Sequence, residues 1–167
     1  CYIFCTYCRT GNILWICSDQ QRWDTLGCYG NRFVETPNLD RLSNEGIHFE
    51  NAFCQSPICT PSRASFLTGR YPRTTRCRQN GQEIPEEEIL LPKILSDSGY
   101  NCGLAGKLHL SPCNPVVCPD TERRINDGYG TFHWSHHSGT GWETNAYHRW
   151  LKSRGNAYTD RPHPESQ

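Results

Sequence analysis

The sequence contains no methionine, no excess of charge of either sign and no long hydrophobic run. The missing initiator residue predicts that the chain is a fragment of a longer protein. Because 17 Lys+Arg residues balance 17 Asp+Glu residues, the formal net charge is +0, which argues against nucleic-acid binding through bulk charge and against a polybasic membrane anchor. No apolar stretch approaches the ~20 residues of a membrane-spanning helix, so we expect no membrane span.

Cysteine is present in 11 copies, fewer than the ~8–10% of residues that mark a small disulfide-bonded scaffold. The count is odd, so at least one thiol stays unpaired in a monomer. Several of these cysteines lie in strand-like or helix-adjacent segments, where a free thiol behaves as a small apolar side chain. The sequence leaves the localisation open, and this pattern leans towards a reducing, cytoplasmic compartment.

Strand and helix signals alternate along most of the chain. Residues 12–18 (NILWICS) form a nearly continuous apolar run, which predicts a buried strand of a parallel sheet. Apolar patterns predict further strands at residues 47–53 and 100–105. Start and stop signals predict helices at residues 36–46, at 64–68 with its lead-in 59–63, at 90–98 and at 145–153.

This alternation predicts an α/β fold in which helices cover a mainly parallel sheet. Three strands make an incomplete sheet, which again indicates a fragment. The predicted organisation is an extra segment at residues 1–11, the main α/β region at 12–158 and a polar, disordered tail at 159–167. Ligands of such sheets bind beyond the carboxyl ends of the strands, where Asp19, Gln20, Lys107 and His109 are expected.

The most specific motif is Cys59-x-Pro61-x-Arg63, followed by Leu-Thr-Gly-Arg at residues 67–70. At a helix start, unpaired backbone N–H groups and the helix dipole favour a cysteine as its thiolate. Arg63 falls one turn after Cys59 and would add positive charge beside it. Taken alone, such a short motif more often marks a helix start with a buried cysteine and a surface arginine.

The wider sequence resembles the sulfatase family of the alkaline-phosphatase-like superfamily, from about Asn12 to Trp150. The segments that carry the resemblance are NILWICSDQQRWDTLGCYGN, TPNLDRLSNEGIHFENAFCQSPICTPSRASFLTGRYPRT, NGQEIPEEEILLPKIL and GYNCGLAGKLHLSP. The resemblance implies an alkaline-phosphatase-like α/β sandwich and the hydrolysis of sulfate monoesters. It also implies that this chain is the N-terminal part of the enzyme and is inactive by itself.

In sulfatases the motif cysteine is oxidised to formylglycine, and the resemblance places this residue at Cys59. A formylglycine-generating or an anaerobic maturing enzyme makes the change and reads Pro61 and Arg63. The hydrated aldehyde is a gem-diol, one hydroxyl of which attacks sulfur while the other later expels sulfate. Arg63 is implied to hold the gem-diol and to offset its negative charge.

The resemblance further implies a site for Ca²⁺, with Mg²⁺ or Mn²⁺ as alternatives, formed by Asp19, Gln20 and Cys59. Hard oxygen donors suit these cations. Many sulfatases carry a second Asp at the position of Gln20, whereas Gln occurs in members that include phosphonate monoester hydrolases. The remaining ligands, an Asp with an Asn or His, belong to the family's later half. Outside this context Asp19 would be a cap or turn residue.

Lys107 and His109 match the Lys-x-His segment that contacts sulfate and formylglycine in sulfatases. Lys107 is implied to stabilise charge on the sulfuryl and leaving oxygens. The pair favours a sulfatase over a phosphonate hydrolase, which carries other residues there. Asn80 matches a substrate-contacting Asn, although a turn residue in Asn-Gly is nearly as good an interpretation. The substrate is expected to be a small-molecule or carbohydrate sulfate ester, of unspecified identity.

A second histidine-rich segment contains His133, His136 and His137. No cysteine or carboxylate spacing around it completes a tetrahedral zinc set, so packing or the lining of a substrate pocket is expected instead.

Two alternative functions remain at this point. One is a phosphonate or phosphate ester hydrolase of the same superfamily. The other is a non-catalytic remnant in which Cys1, Cys5 and Cys8 bind an iron–sulfur cluster, since their spacing resembles the three-cysteine loop of radical SAM enzymes. That fold needs a barrel of some two hundred residues after the loop, roughly a whole further domain, so a chance run of cysteines is the better interpretation.

Overall fold

A computed structural model describes residues 2–6, 11–113, 121–136 and 143–156, with the backbone alone described for the first of these ranges. The chain divides into two compact units, Cys1–Phe53 and Cys54–Gln167, and each is described here by itself. Across the described ranges, no helix is both long enough and apolar enough to cross a membrane. The predicted tail at 159–167 lies outside the described residues.

The first unit begins with an antiparallel pair of strands, β1 (Tyr2–Thr6) and β2 (Ile13–Cys17). The predicted strand at 12–18 is therefore present, but its prediction as a buried, parallel strand is wrong. Leu14 is 62% exposed, and the only hydrogen-bonded neighbour of β2 in the described chain is β1. An apolar run is covered on both faces only where further layers flank the sheet, and a two-stranded ribbon supplies none.

Helix α1 (Pro37–Glu45) follows two short 3₁₀ turns and confirms the predicted helix at this position. Two hydrogen bonds join the 3₁₀ turn at Gly27 to the start of α1. The Gly27 N–H donates to Thr36 Oγ1 at 2.8 Å, and the Cys28 N–H donates to Asp40 Oδ1 at 2.7 Å. A Cβ at residue 27 would lie 2.4 Å from Asp40 Oδ2, so a side chain here would displace the carboxylate that accepts from the Cys28 N–H.

The predicted strand at 47–53 is wrong, because these residues form no strand. Ile47 and Phe53 are 82% and 81% exposed. Alternation of apolar and polar residues produces a strand only where a neighbouring strand pairs with it, and none of the described strands does so here.

The second unit contains three helices and a parallel pair of strands. In chain order these are α2 (Cys59–Thr68), α3 (Leu91–Asp97), β3 (Cys102–Gly106), β4 (Tyr129–Trp134) and α4 (Ala146–Ser153). Strand β4 pairs in parallel with β3, with Leu104 opposite Phe132. The sequence predicted every one of these elements except β4, which falls in a segment rich in Gly, His and aromatic residues with no clear period.

The core of the second unit joins α2 to the segment between α2 and α3 and to the chain after β3. Its buried members are Ala64, Leu67, Cys77, Ile84, Leu90, Leu108 and Leu110. Leu108 and Leu110 flank His109, so burial of the two leucines fixes the path of the chain that carries the Lys-x-His motif. Arg70 also ties the end of α2 to the core by donating from Nη1 to both carboxylate oxygens of the buried Glu88, at 2.9 and 2.8 Å.

Candidate active site

Cys59 is the first residue of α2, as the sequence predicted. Ile58 precedes it in an extended conformation, with φ −98° and ψ 143°, and its carbonyl accepts the first helical hydrogen bond from the Ser62 N–H at 3.0 Å. Pro61 lies in the first turn, where its missing N–H is not needed and its fixed φ suits the helix. The half-buried Cys59 therefore lies at the end of the helix where N–H groups converge.

Lys107 follows β3 and directs its ammonium group at the motif cysteine. Its Nζ lies 3.5 Å from Cys59 Sγ, although 48 residues separate the two along the chain. The predicted juxtaposition of these two side chains is thus present in the structure.

Arg63 is buried, at 7% exposure, so the interpretation of a surface arginine is wrong. Its Nη1 donates to the Lys107 carbonyl at 2.5 Å. The guanidinium therefore joins the first two turns of α2 to the backbone that presents the Lys107 side chain. Arg63 lies four residues, about one helical turn, after Cys59, so the two residues share one face of α2, as their spacing predicted.

Asn80 also meets the start of α2. Its side-chain oxygen accepts from the Thr60 N–H at 3.0 Å, which satisfies one of the unpaired donors of the first turn. Asn80 forms a turn with Gly81, whose φ of +86° favours glycine. Asn80 is therefore a turn residue, as one interpretation of the sequence expected. It also caps α2 through a contact that sequence spacing could not predict.

His109 is buried and has a left-handed backbone, with φ +57°. This conformation is uncommon for a residue other than glycine and is kept only where neighbouring contacts impose it. Here the contacts come from Glu122, whose two carboxylate oxygens accept from the His109 and Leu110 N–H groups, both at 2.8 Å.

Glu122 is a residue that the sequence interpretation missed. It is 2% exposed and also accepts from Trp134 Nε1 at 2.9 Å, so it links the Lys-x-His segment to the end of β4. Hydrogen bonds from several N–H donors stabilise the negative charge of a buried carboxylate. A lone Glu in a loop carries no sequence signal for such a position.

The histidine-rich segment divides between two environments. His133 lies exposed in β4, while His136 is buried, with its ring edge-on to His109 at 4.3 Å between centroids. Its ring is also parallel to Trp134, with centroids 6.0 Å apart. Packing, one of the two expected roles, therefore describes His136, while His137 lies outside the described residues.

Asp19 and Gln20 belong to the first unit and follow β2 after one intervening residue, Ser18. Both are exposed, and Gln20 has a left-handed φ of 51°. A carboxylate and an amide offer hard oxygen donors, which is the donor type that Ca²⁺, Mg²⁺ and Mn²⁺ take. These two residues therefore fit the implied metal chemically, as part of a ligand set. Of the iron–sulfur cysteines, Cys5 lies in β1 opposite Leu14, and Cys1 and Cys8 are outside the described residues.

A thiol at a helix start, an ammonium group against it and a parallel strand pair form an α/β arrangement with a candidate nucleophilic cysteine. The family model for sulfatases matches residues 11–164. This chain belongs to the sulfatase family.

Several known proteins are similar to this chain. An ulvan-active sulfatase from Formosa agariphila is 42% identical over 118 residues, which are 71% of this chain and 23% of that protein. A steryl-sulfatase from Rattus norvegicus is 41% identical over 110 residues, 59% of this chain and 19% of that protein. The crystal structure of the phosphonate monoester hydrolase of Agrobacterium radiobacter aligns with a TM-score of 0.67 at 26% identity, over 83% of this chain and 27% of that one.

The structural neighbours confirm the predicted α/β fold of the alkaline-phosphatase-like type. The chain spans 19% and 23% of the length of the two curated relatives above, so it carries one part of that fold. Sulfatases typically use a formylglycine residue and a divalent metal ion.

Proposed function

We propose that the protein containing this chain hydrolyses sulfate monoesters with a formylglycine made from Cys59. The observation that carries the proposal is the position of the Cys59 side chain at the start of α2 with the Lys107 ammonium 3.5 Å away. A nucleophile at a helix start and beside a fixed cation is placed where negative charge is stabilised as it develops. The motif match and the similarity to named sulfatases supply the reaction type.

Once the maturing enzyme has oxidised Cys59 and the aldehyde is hydrated, one gem-diol hydroxyl loses its proton and attacks sulfur, while the S–O bond to the alcohol breaks and the alcohol leaves. Loss of the proton from the second hydroxyl then re-forms the aldehyde and breaks the C–O bond to sulfate, which is released. Lys107 holds positive charge next to the attacked sulfuryl group and the leaving oxygen. Arg63 keeps the Lys107 backbone in place through its hydrogen bond to the carbonyl, and its charge offsets that of the gem-diol. His109 and Asn80 complete the group as contacts to the sulfate ester, with Asn80 also capping α2.

The metal ion would be held by Asp19, Gln20 and the oxygen that replaces Cys59 Sγ, with Ca²⁺ as the first choice and Mg²⁺ or Mn²⁺ as alternatives. When bound, it would polarise the sulfuryl oxygens as a Lewis acid. Further ligands are proposed to come from the later part of the protein, since Ca²⁺ takes six to eight oxygen ligands.

The substrate is proposed to be a small-molecule or carbohydrate sulfate ester. Names of similar proteins include an ulvan-active sulfatase and an N-acetylgalactosamine-6-sulfatase, which supports the carbohydrate class. The other partner is a formylglycine-generating or anaerobic maturing enzyme, because Cys59 needs oxidation before it can act.

The second candidate function is phosphonate monoester hydrolysis. Gln20 in place of the common second Asp favours it, as does the structural similarity to the Agrobacterium radiobacter enzyme. Against it stand Lys107 and His109, which match the sulfatase Lys-x-His segment. The Lys107 ammonium 3.5 Å from Cys59 Sγ supports the sulfatase proposal.

The experiment is an activity assay of the full-length protein co-expressed with a maturing enzyme, on matched aryl sulfate and aryl phosphonate monoester substrates. We expect the kcat/KM for the sulfate to exceed that for the phosphonate, and Cys59→Ala to abolish turnover of both. Cys102→Ser, a half-buried thiol away from the site, is the matched control and should keep full activity. A higher kcat/KM for the phosphonate, or activity that survives Cys59→Ala, would overturn the proposal.

A further inference from the structure

Next to the proposed active site lies a cluster of three side chains that the sequence did not group together. Among the described residues, His109, Cys113 and His136 each offer one ligand atom, and these atoms all lie within 4.8 Å of one another. Both histidines are buried and Cys113 is half-buried. Sequence spacing offered no cysteine ligand beside His136, whereas the chain after β3 brings Cys113 close to it.

We propose that His109, Cys113 and His136 form a binding site for a thiophilic divalent cation, with Zn²⁺ as the preferred ion. Two imidazoles and a thiolate are donors that zinc prefers, whereas Ca²⁺ and Mg²⁺ take oxygen. In a tetrahedral site, Zn–N and Zn–S bonds of ~2.0–2.3 Å place neighbouring ligand atoms ~3.3–3.8 Å apart. The three ligand atoms here lie within 4.8 Å of one another, so side-chain rotations that bring them about 1 Å closer would complete three corners of the tetrahedron and leave the fourth for water.

The charge around Cys113 favours a cation over a bare thiolate. Its Sγ lies 3.2 Å from the Ser111 carbonyl oxygen and 3.4 Å from Glu122 Oε2, so a thiolate here would face two oxygen acceptors. Zinc binding releases the thiol proton to water and places two positive charges beside the thiolate and the Glu122 carboxylate. The ion, the Cys113 thiolate and the Glu122 carboxylate together then carry no net charge, which removes the main free-energy cost of burying the two anions.

The surroundings also hold the ligands in place. Glu122 fixes the His109 backbone by accepting a hydrogen bond from the His109 N–H, and the Trp134 ring lies parallel to the His136 ring. Contacts that orient the ligands in this way raise metal affinity, and losing one typically costs ~10–100-fold. A filled site would engage the His109 ring, which the proposed reaction needs for the sulfate ester. The site is therefore inhibitory, a consequence that rests on the proposed function, whereas metal binding itself does not.

The test is Co²⁺ binding to the metal-free full-length protein in a Cys59→Ala background, which removes the nearby motif thiol. Co²⁺ replaces zinc in such sites and reports a thiolate ligand by a charge-transfer band and a tetrahedral site by its visible bands. We expect one Co²⁺ per chain with both signals, displaced by Zn²⁺. Cys113→Ser should remove the charge-transfer band, His136→Gln should weaken binding, and Glu122→Gln should weaken it ~10–100-fold.

Cys102→Ser is the matched control, because Cys102 is equally half-buried and donates to a backbone carbonyl. It should leave the spectrum unchanged. A charge-transfer band that survives Cys113→Ser, or its absence in the parent protein at saturating Co²⁺, would overturn the site. In matured enzyme, Zn²⁺ should inhibit hydrolysis and Cys113→Ser should relieve that inhibition. Spectroscopic binding without inhibition would contradict the inhibitory role and leave the binding site confirmed.

Discussion

The position of Lys107 depends on several other parts of the second unit. Its ammonium group lies against Cys59, and its carbonyl accepts from Arg63. The backbone beyond it is fixed by the burial of Leu108 and by the Glu122 carboxylate at His109. A cation whose backbone is held from several directions needs little reorganisation during a reaction, which is the physical basis of electrostatic catalysis.

Lys107→Ala in the matured full-length enzyme should therefore lower kcat by a factor of ~10²–10³, since one preorganised cationic donor is lost. The melting temperature should stay close to that of the wild type, because the side chain adds charge at the site and little packing. Lys93→Ala is the control, because Lys93 is half-buried and its ammonium pairs with the exposed Asp97 within α3. Steady-state kinetics with thermal unfolding separate the two effects, and an unchanged kcat would contradict the role.

Arg63 should behave differently, because its side chain is buried and its hydrogen bond joins α2 to the Lys107 backbone. Arg63→Ala leaves the Lys107 carbonyl without this donor, so unfolding free energy should fall by about 1–3 kcal/mol together with activity. Arg73→Ala, at an exposed position a few residues after α2, should change neither. Denaturant titration measures the loss, and a stable but inactive Arg63→Ala variant would assign Arg63 to chemistry alone.

At the scale of elements, the start of α2 depends on a contact from outside the helix. Asn80 caps the Thr60 N–H, a role that a residue directly before the helix more often fills. Asn80→Ala should cost ~0.5–2 kcal/mol of unfolding free energy, as lost caps do. Asn80→Asp keeps an acceptor and should recover most of that stability. Equal stability of the Ala and Asp variants would show that the capping contact contributes nothing.

Strand β4 should make the stability of the fold depend on alkaline pH, because it begins with Tyr129, whose phenol titrates. Burial, reinforced by the negative charge of Asp127, raises the pKa of Tyr129 to about 12 from 10.0. The folded state thus favours the neutral phenol, so its contribution to stability is complete below pH 10.0 and is lost as the pH rises towards about 12. The loss amounts to about 2–3 kcal/mol at the upper end of this window.

Tyr129→Phe removes the titrating group and should flatten that part of the stability curve. Unfolding free energies of the two proteins, measured by denaturant titration across alkaline pH, give the difference directly. Tyr71→Phe, at an exposed position, should retain the wild-type slope. Identical slopes in wild type and Tyr129→Phe would contradict the raised pKa.

At the scale of the whole molecule, the sequence predicted those elements that carry local signals. Pro37 and Gly46 delimit α1, Asn145 caps α4, and Cys59 begins α2, all near the predicted positions. It failed where structure depends on distant partners. The apolar run of β2 is exposed, and 47–53 forms no strand, because local alternation does not state which layers or strands surround it.

The candidate site was predictable only through its family motif. Residue spacing placed Arg63 near Cys59, and the resemblance selected Lys107 from other lysines. Nothing local predicted that Glu122 would hold the His109 backbone or that Cys113 would approach His136, because both contacts need the chain to return from beyond the motif. Polar groups satisfied by long-range contacts leave no periodic signal in a sequence.

The central claim is that Cys59 becomes the nucleophile, and peptide mass spectrometry tests it directly. Trypsin should release residues 42–63 of the full-length protein, a peptide that contains both Cys54 and Cys59. After expression with a maturing enzyme and thiol alkylation, we predict an aldehyde at Cys59 and an alkylated thiol at Cys54, which serves as the internal control. Quantitative alkylation of both cysteines in that host would contradict the claim.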